Sequence, residues 1–182
     1  TVAVDGQRWD EQYEFAWDMK ISKDGSSIGV LVKRDMTYSV AVDGEAWENS
    51  FISCRGYTLT DDGGKAAAVV QVEEVPEADI FKFMEGTWSV AVDGEAWDAR
   101  YINVYGPVIS PDGAHVAVEV RTDICDYTVA RDQETWKTRF GCVWEPIYGA
   151  DGSILVPVKV EGGWTLARDG SPLWSGRFVQ LW

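Results

Sequence analysis

Apolar positions in this chain fall in short β-branched runs cut by Asp-Gly, not at the three-to-four-residue spacing of helices. The runs IGVLV (28–32), AAAVVQV (66–72), HVAVEV (115–120) and ILVPVKV (154–160) are bounded by turn residues. Each reads as a strand. A second pattern alternates with them: TVAVDGQRW (1–9), SVAVDGEAW (39–47), SVAVDGEAW (89–97), TVARDQETW (128–136) and TLARDGSPLW (165–174). It reads as strand, tight turn, strand, because Asp-Gly supplies the positive φ of a two-residue hairpin loop. Gln133 stands where the other copies have Gly6, Gly44, Gly94 and Gly170, so a different turn type is expected there. The segment ADIFKFM (78–84) is too short to predict a helix. Phe81 and Phe83 alternate around Lys82, as they would if the following strand began early.

The two patterns keep register. Trp9 to Asp24, Trp47 to Asp62, Trp97 to Asp112 and Trp136 to Asp151 are each 15 residues apart. An aromatic lies four residues after each motif Trp (Tyr13, Phe51, Tyr101, Phe140, Phe178). Eight after it come Trp17, Arg55, Tyr105, Trp144 and Trp182. Offsets of four and eight share one face of a strand if the strand does not bend. From one Asp-Gly to the next motif Asp the distance varies, 19, 31, 20 and 18 residues. Extra length belongs in surface connections, where it costs little closure entropy. Repeats of this size need neighbours to bury their faces.

Four-stranded units of this length predict an all-β propeller of antiparallel blades. The units span about 15–51, 56–101, 105–140 and 144–178, with an extra hairpin at 1–13. Five copies of the Trp hairpin against four of the other predict a five-bladed or incomplete ring, with a four-bladed ring as the alternative. An open ring would expose a blade face. The expectation is self-association through the terminal blades, or a longer polypeptide that closes the ring.

Composition narrows the partners. The 182 residues carry 30 Asp and Glu against 16 Lys and Arg, a formal charge of −14. No basic stripe offers a path for nucleic acid, whereas a basic protein would be attracted. No apolar run is long enough to span a bilayer and no leader is recognisable, so a cytoplasmic location without membrane insertion is expected. Cys54, Cys125 and Cys142 make an odd set without C-x-x-C, which argues against a disulfide framework or a zinc site.

Candidate chemistry sorts onto the repeat. All ten Trp occupy repeat columns: Trp9, Trp47, Trp97, Trp136 and Trp174 the motif; Trp88 and Trp164 a column before it shared with Tyr38 and Tyr127; Trp17, Trp144 and Trp182 the plus-eight column. Packing between blades is the expected role of the motif column. The plus-eight column, Trp17, Tyr105, Trp144 and Trp182, varies in identity and is the candidate for a ligand site in each blade. The Asp-Gly pairs lack the spacing of a calcium loop. His115 is the single His, and no nucleophile elbow accompanies it. No motif for haem, flavin, nucleotide or metal appears, so no cofactor is expected. The least repetitive segment is Glu73–Gly86, whose Phe81, Phe83 and Met84 form a candidate partner-binding protrusion.

ISPDGAHVAVEV followed by YTVARD resembles the WD40-like propeller repeat of the TolB type. Only residues 110–113 give the full S-P-D-G; SKDG, TDDG and GADG depart from it, and the Trp after VDG is no part of that signature. The Trp-rich, acidic style also resembles the tryptophan-rich subunit of the transmembrane cytochrome redox complex of sulfate-reducing bacteria. That likeness implies an accessory role beside haem and iron–sulfur subunits. The expectation is therefore a non-catalytic protein–protein interaction subunit of an electron-transfer assembly. The alternatives are a multivalent carbohydrate or small-molecule binder and a propeller hydrolase.

Overall fold

A computed structural model of the chain, described over residues 1–76 and 79–180, is built almost wholly of antiparallel strands. A hairpin of β1 (Ala3–Val4) and β2 (Gln7–Arg8) comes first. Three four-stranded sheets follow. The first holds β3 (Phe15–Ile21), β4 (Ile28–Arg34), β5 (Thr37–Val42) and β6 (Glu45–Ala46). The second holds β7 (Ser53–Leu59), β8 (Ala66–Gln71), β9 (Trp88–Val92) and β10 (Glu95–Ala96). The third holds β11 (Asn103–Ile109), β12 (Val116–Asp123), β13 (Asp126–Arg131) and β14 (Glu134–Thr135). In the fourth the leading strand is split into β15 (Cys142–Val143) and β16 (Ile147–Tyr148). Both pair with β17 (Ile154–Val160), which continues to β18 (Gly163–Arg168) and β19 (Ser171–Pro172). Every sheet is a simple meander in chain order. The fold is an all-β, propeller-type stack of repeated four-stranded units.

Alternation along the second strand of each sheet builds the core. Ala66, Ala68 and Val70 of β8 pack with Leu31 and Val40 of the first sheet, while Ala67 and Val69 turn to Val116, Val118 and Val120 of the third. Ala117 and Val129 repeat the arrangement against Ile154, Val156 and Val158. The leading hairpin covers the front of the first sheet, with Val2, Trp9 and Tyr13 on Val30, Val32 and Ala41. A strand apolar on both faces is thus a strand shared between two interfaces.

Short polar side chains close the turns. Ser22 Oγ and Thr60 Oγ1 donate to Asp24 and Asp62 at 2.8 and 2.6 Å, and accept from the Ser27 and Lys65 main-chain N–H at 2.9 and 3.0 Å. Bonds from the Ser26 N–H and hydroxyl, with that from Ser22, hold the Asp24 carboxyl below its ordinary range, and bonds from Thr60 and the Gly64 N–H do so for Asp62. The Asp of each Trp hairpin reaches the neighbouring strand instead. Asp43, Asp93, Asp132 and Asp169 accept from the N–H of Ile28, Ala66, Val116 and Ile154 at 2.7–2.9 Å.

Two expectations are corrected and one that was left open is decided. The Gln133 turn keeps the conformation of its counterparts: Asp132 and Gln133 have φ 47° and 79°, against 48° and 90° at Asp93 and Gly94. The pleat on either side demands this turn, and the residue conforms. The aromatics four and eight after the motif Trp do not share a strand. Phe51, Tyr101, Phe140 and Phe178 bridge back to Tyr38, Trp88, Tyr127 and Trp164 of their own sheet, and the chain bends before entering the next. Third, Phe81 and Phe83 do not extend β9 but lie in a short helix, α1 (Ile80–Glu85), started by Asp79, whose Oδ1 accepts from Lys82 N–H at 2.9 Å. Among the described residues, no helix is long and apolar enough to cross a membrane.

Candidate functional site

The motif Trp is a junction residue. A Cβ added to Gly44 would stand 3.4 Å from the Trp9 ring. On Gly94 and Gly170 it would stand 3.2 and 3.3 Å from the rings of Trp47 and Trp136. Each indole therefore lies on the hairpin turn of the next unit, and glycine is needed there for close approach as well as for φ. The end copies are unmatched: Gly6 has nothing within 4 Å, and Trp174 is 46% exposed. At the remaining junction Gln133 replaces glycine. Its Oε1 accepts from Asp98 N–H and its carbonyl from Tyr101 Oη, both at 3.0 Å.

The plus-eight residues stand one to a sheet at an irregularity of the leading strand, with register shifts beside Trp17, Arg55 and Tyr105. Each is engaged by an aromatic of its own sheet. Trp17 meets Tyr38 edge-on at 6.0 Å, Trp144 meets Trp164 at 5.4 Å, Tyr105 lies 6.5 Å from Tyr127, and the Arg55 guanidinium sits 3.8 Å over Trp88. Arg55 also reaches the next sheet, donating to Asn103 Oδ1 and the Val104 carbonyl. The column is spread over four separate sheets, with Trp17 and Trp144 exposed. Trp182 lies outside the described residues.

Helix α1 is the projecting feature. None of its side chains is buried; Phe81 is 82% and Ile80 59% exposed, Phe83 is exposed and Met84 half-buried. It is tied to the sheet by Glu73, which pairs with Lys82 of the helix and with Arg100 beyond β10; a Lys82–Glu85 contact at 3.6 Å lies within the helix itself. The projection is thus an apolar knuckle on a charged staple.

His115 Nδ1 lies 2.6 Å from Asp132 Oδ2. The nearby Ser110 hydroxyl is spent on Asp112 and on the His115 main-chain N–H, so it presents no nucleophile to the imidazole. A cavity of about 190 Å³ opens beside the pair, lined also by Arg131, Tyr148 and Gly149. The Tyr148 hydroxyl is buried without a hydrogen-bond partner among the described residues, and burial pushes its pKa up to about 12. Glu119 is a second misfit: 8% exposed, on the face of β12 turned to the fourth sheet, it is pushed up to about 7 by burial. Sequence reasoning missed Arg131, Tyr148 and Glu119. For Tyr148 and Glu119 the signal was present, since they replace Ile21, Leu59 and Ile109, and Leu31 and Val69; Arg131 stands where two copies have Val42 and Val92 but the last has Arg168.

No protein-family model matches the chain, and no curated protein is similar enough to match it. Among solved structures, the β-propeller domain of the Trilobed protease from Pyrococcus furiosus, described as having an open velcro topology, is similar. It is 13% identical, with 89% of this chain and 69% of that one covered and a TM-score of 0.37.

Proposed function

We propose that this chain is a non-catalytic interaction subunit that docks a protein partner through α1. The observation that carries the reading is Phe81, 82% exposed beside Ile80 on a helix held by the Glu73–Lys82 and Glu73–Arg100 pairs. Exposing an aromatic and an aliphatic side chain together is costly in water, and holding them rigid lowers the entropy cost of binding. Glu74 and Glu85 flank the knuckle, so the complementary surface is an apolar socket with a basic rim. The partner class follows from the sequence resemblance: a subunit of a membrane-associated redox assembly, beside which this chain works without a cofactor of its own.

A photoreactive phenylalanine at position 81, irradiated in the native cell, tests this. The expected outcome is one discrete adduct with a single protein, missing when the reactive residue stands at exposed Ile124. Adducts of the same pattern from both positions contradict specific docking. Spectroscopy of the complex then tests the redox reading: haem or iron–sulfur absorbance in the adduct's partner supports it, and a colourless partner removes it while leaving docking intact.

A further inference from the structure

Consecutive Asp-Gly turns are hydrogen-bonded to each other at the first two junctions, the second also bordering a cavity of about 450 Å³, and among the described residues no such bond joins the third pair. At the first junction Asp24 N–H donates to the Asp61 carbonyl at 3.0 Å and Ser26 Oγ to the Asp62 carbonyl at 3.2 Å. At the second, Lys65 Nζ donates to the Gly113 carbonyl. A Cβ on Gly63 or Gly113 would stand 2.2 Å from Ser27 or 3.5 Å from Thr60, whereas Gly152 has nothing within 4 Å. The fourth turn stands off because it is shorter. Asp24, Asp62 and Asp112 precede the next strand by four residues, Asp151 by three, and Gly149 replaces the hydroxyl residue that opens the other turns. The gap is the 190 Å³ cavity.

His115, Arg131 and Tyr148 meet there. His115 takes a place held by Ser27 and Lys65, Tyr148 one held by Ile21, Leu59 and Ile109, and Arg131 one held by Val42 and Val92 and, in the last copy, by Arg168. Their hydrogen-bonding capacity is unbalanced. Asp132 accepts from the Val116 N–H at Oδ1 and meets His115 at Oδ2, while Asp112 takes both of its bonds, from Ser110 and the Ala114 N–H, at Oδ1. The Arg131 Nε is 3.7 Å from Asp132 Oδ2, too far for a good bond, and the Tyr148 hydroxyl has no partner among the described residues. The buried Tyr148 hydroxyl, left without a partner beside the Arg131 guanidinium, calls for a ligand that accepts. Asp112 borders the same space, which disfavours a doubly charged ion. At roughly 30 Å³ per water, the volume suits a molecule of a few heavy atoms.

We propose that this cavity binds a small monocarboxylate, its oxygens accepting from the Arg131 guanidinium and the Tyr148 hydroxyl beside the His115–Asp132 pair. The site is independent of α1 docking.

Because His115 is the only His, its ring C–H resonances report the cavity without assignment. Acetate is titrated into the full chain in carboxylate-free buffer at constant ionic strength, with acetamide and inorganic phosphate as comparators. The expected result is a saturable shift with a dissociation constant on the order of millimolar, and at least about tenfold weaker binding of either comparator. Arg131→Val and Tyr148→Leu restore the repeat's own residue classes, so both variants keep the fold, which a thermal melt checks. Each is expected to weaken acetate about tenfold. A linear, unsaturable shift, phosphate or acetamide binding as tightly as acetate, or unchanged isotherms in both folded variants overturns the proposal.

Discussion

Gln133 shows how a single side chain yields to its surroundings. Asp-Gly at the other hairpins made the turn readable in the sequence. Gln in the same place suggested another turn because a non-glycine residue at positive φ is strained. The structure keeps the turn, since the paired strands and the Tyr101 hydroxyl on the Gln133 carbonyl fix the backbone. That carbonyl survives any substitution. Gln133→Gly is therefore expected to stabilise the protein by about 0.5–1 kcal/mol, relieving left-handed strain at the loss of one exposed bond to Asp98. A higher urea midpoint at unchanged slope is the expected reading; a lower midpoint would show that the Asp98 bond outweighs the strain.

At the scale of elements, β12 carries the misfit that sets a pH dependence. Leu31 and Val69 hold the places equivalent to Glu119. Burial raises the folded-state pKa of Glu119 to about 7, above its ordinary 4.5. Between those values the folded state binds a proton that the unfolded state has lost, so stability falls as pH rises through this window. The full penalty, reached above about pH 7, is on the order of 3 kcal/mol. Melting temperature should decline from pH 5 to 7.5 in the wild type and stay flatter in Glu119→Gln; parallel profiles would refute the assignment. Helix α1 shows why some elements were not legible. Six residues do not separate a strand period from a helical one. What decides is the Asp79 cap together with the Glu73 staple, which joins Lys82 and Arg100, residues that no local pattern connects.

Across the whole molecule, the fixed spacing of 15 residues from Trp to Asp-Gly was legible because it measures the step from one sheet to the next. The indole on the neighbouring glycine was not, because it needs the rotation between sheets. This junction ranks two substitutions of the same residue type. Trp47, half-buried against Gly94, should cost about 2–4 kcal/mol on truncation to Ala, less than a fully buried aromatic. Trp174, 46% exposed and last in the column, should cost under about 1 kcal/mol. Equal costs in denaturant unfolding would contradict the junction. The central functional claim rests on α1, and quantitative co-purification tests it most directly. Tagged full-length chain is recovered from its native cells beside an Ile80→Ser, Phe81→Ser variant whose melt is unchanged. Docking through α1 predicts a stoichiometric protein partner on the wild type that the variant loses; the same partner held equally by both would contradict it.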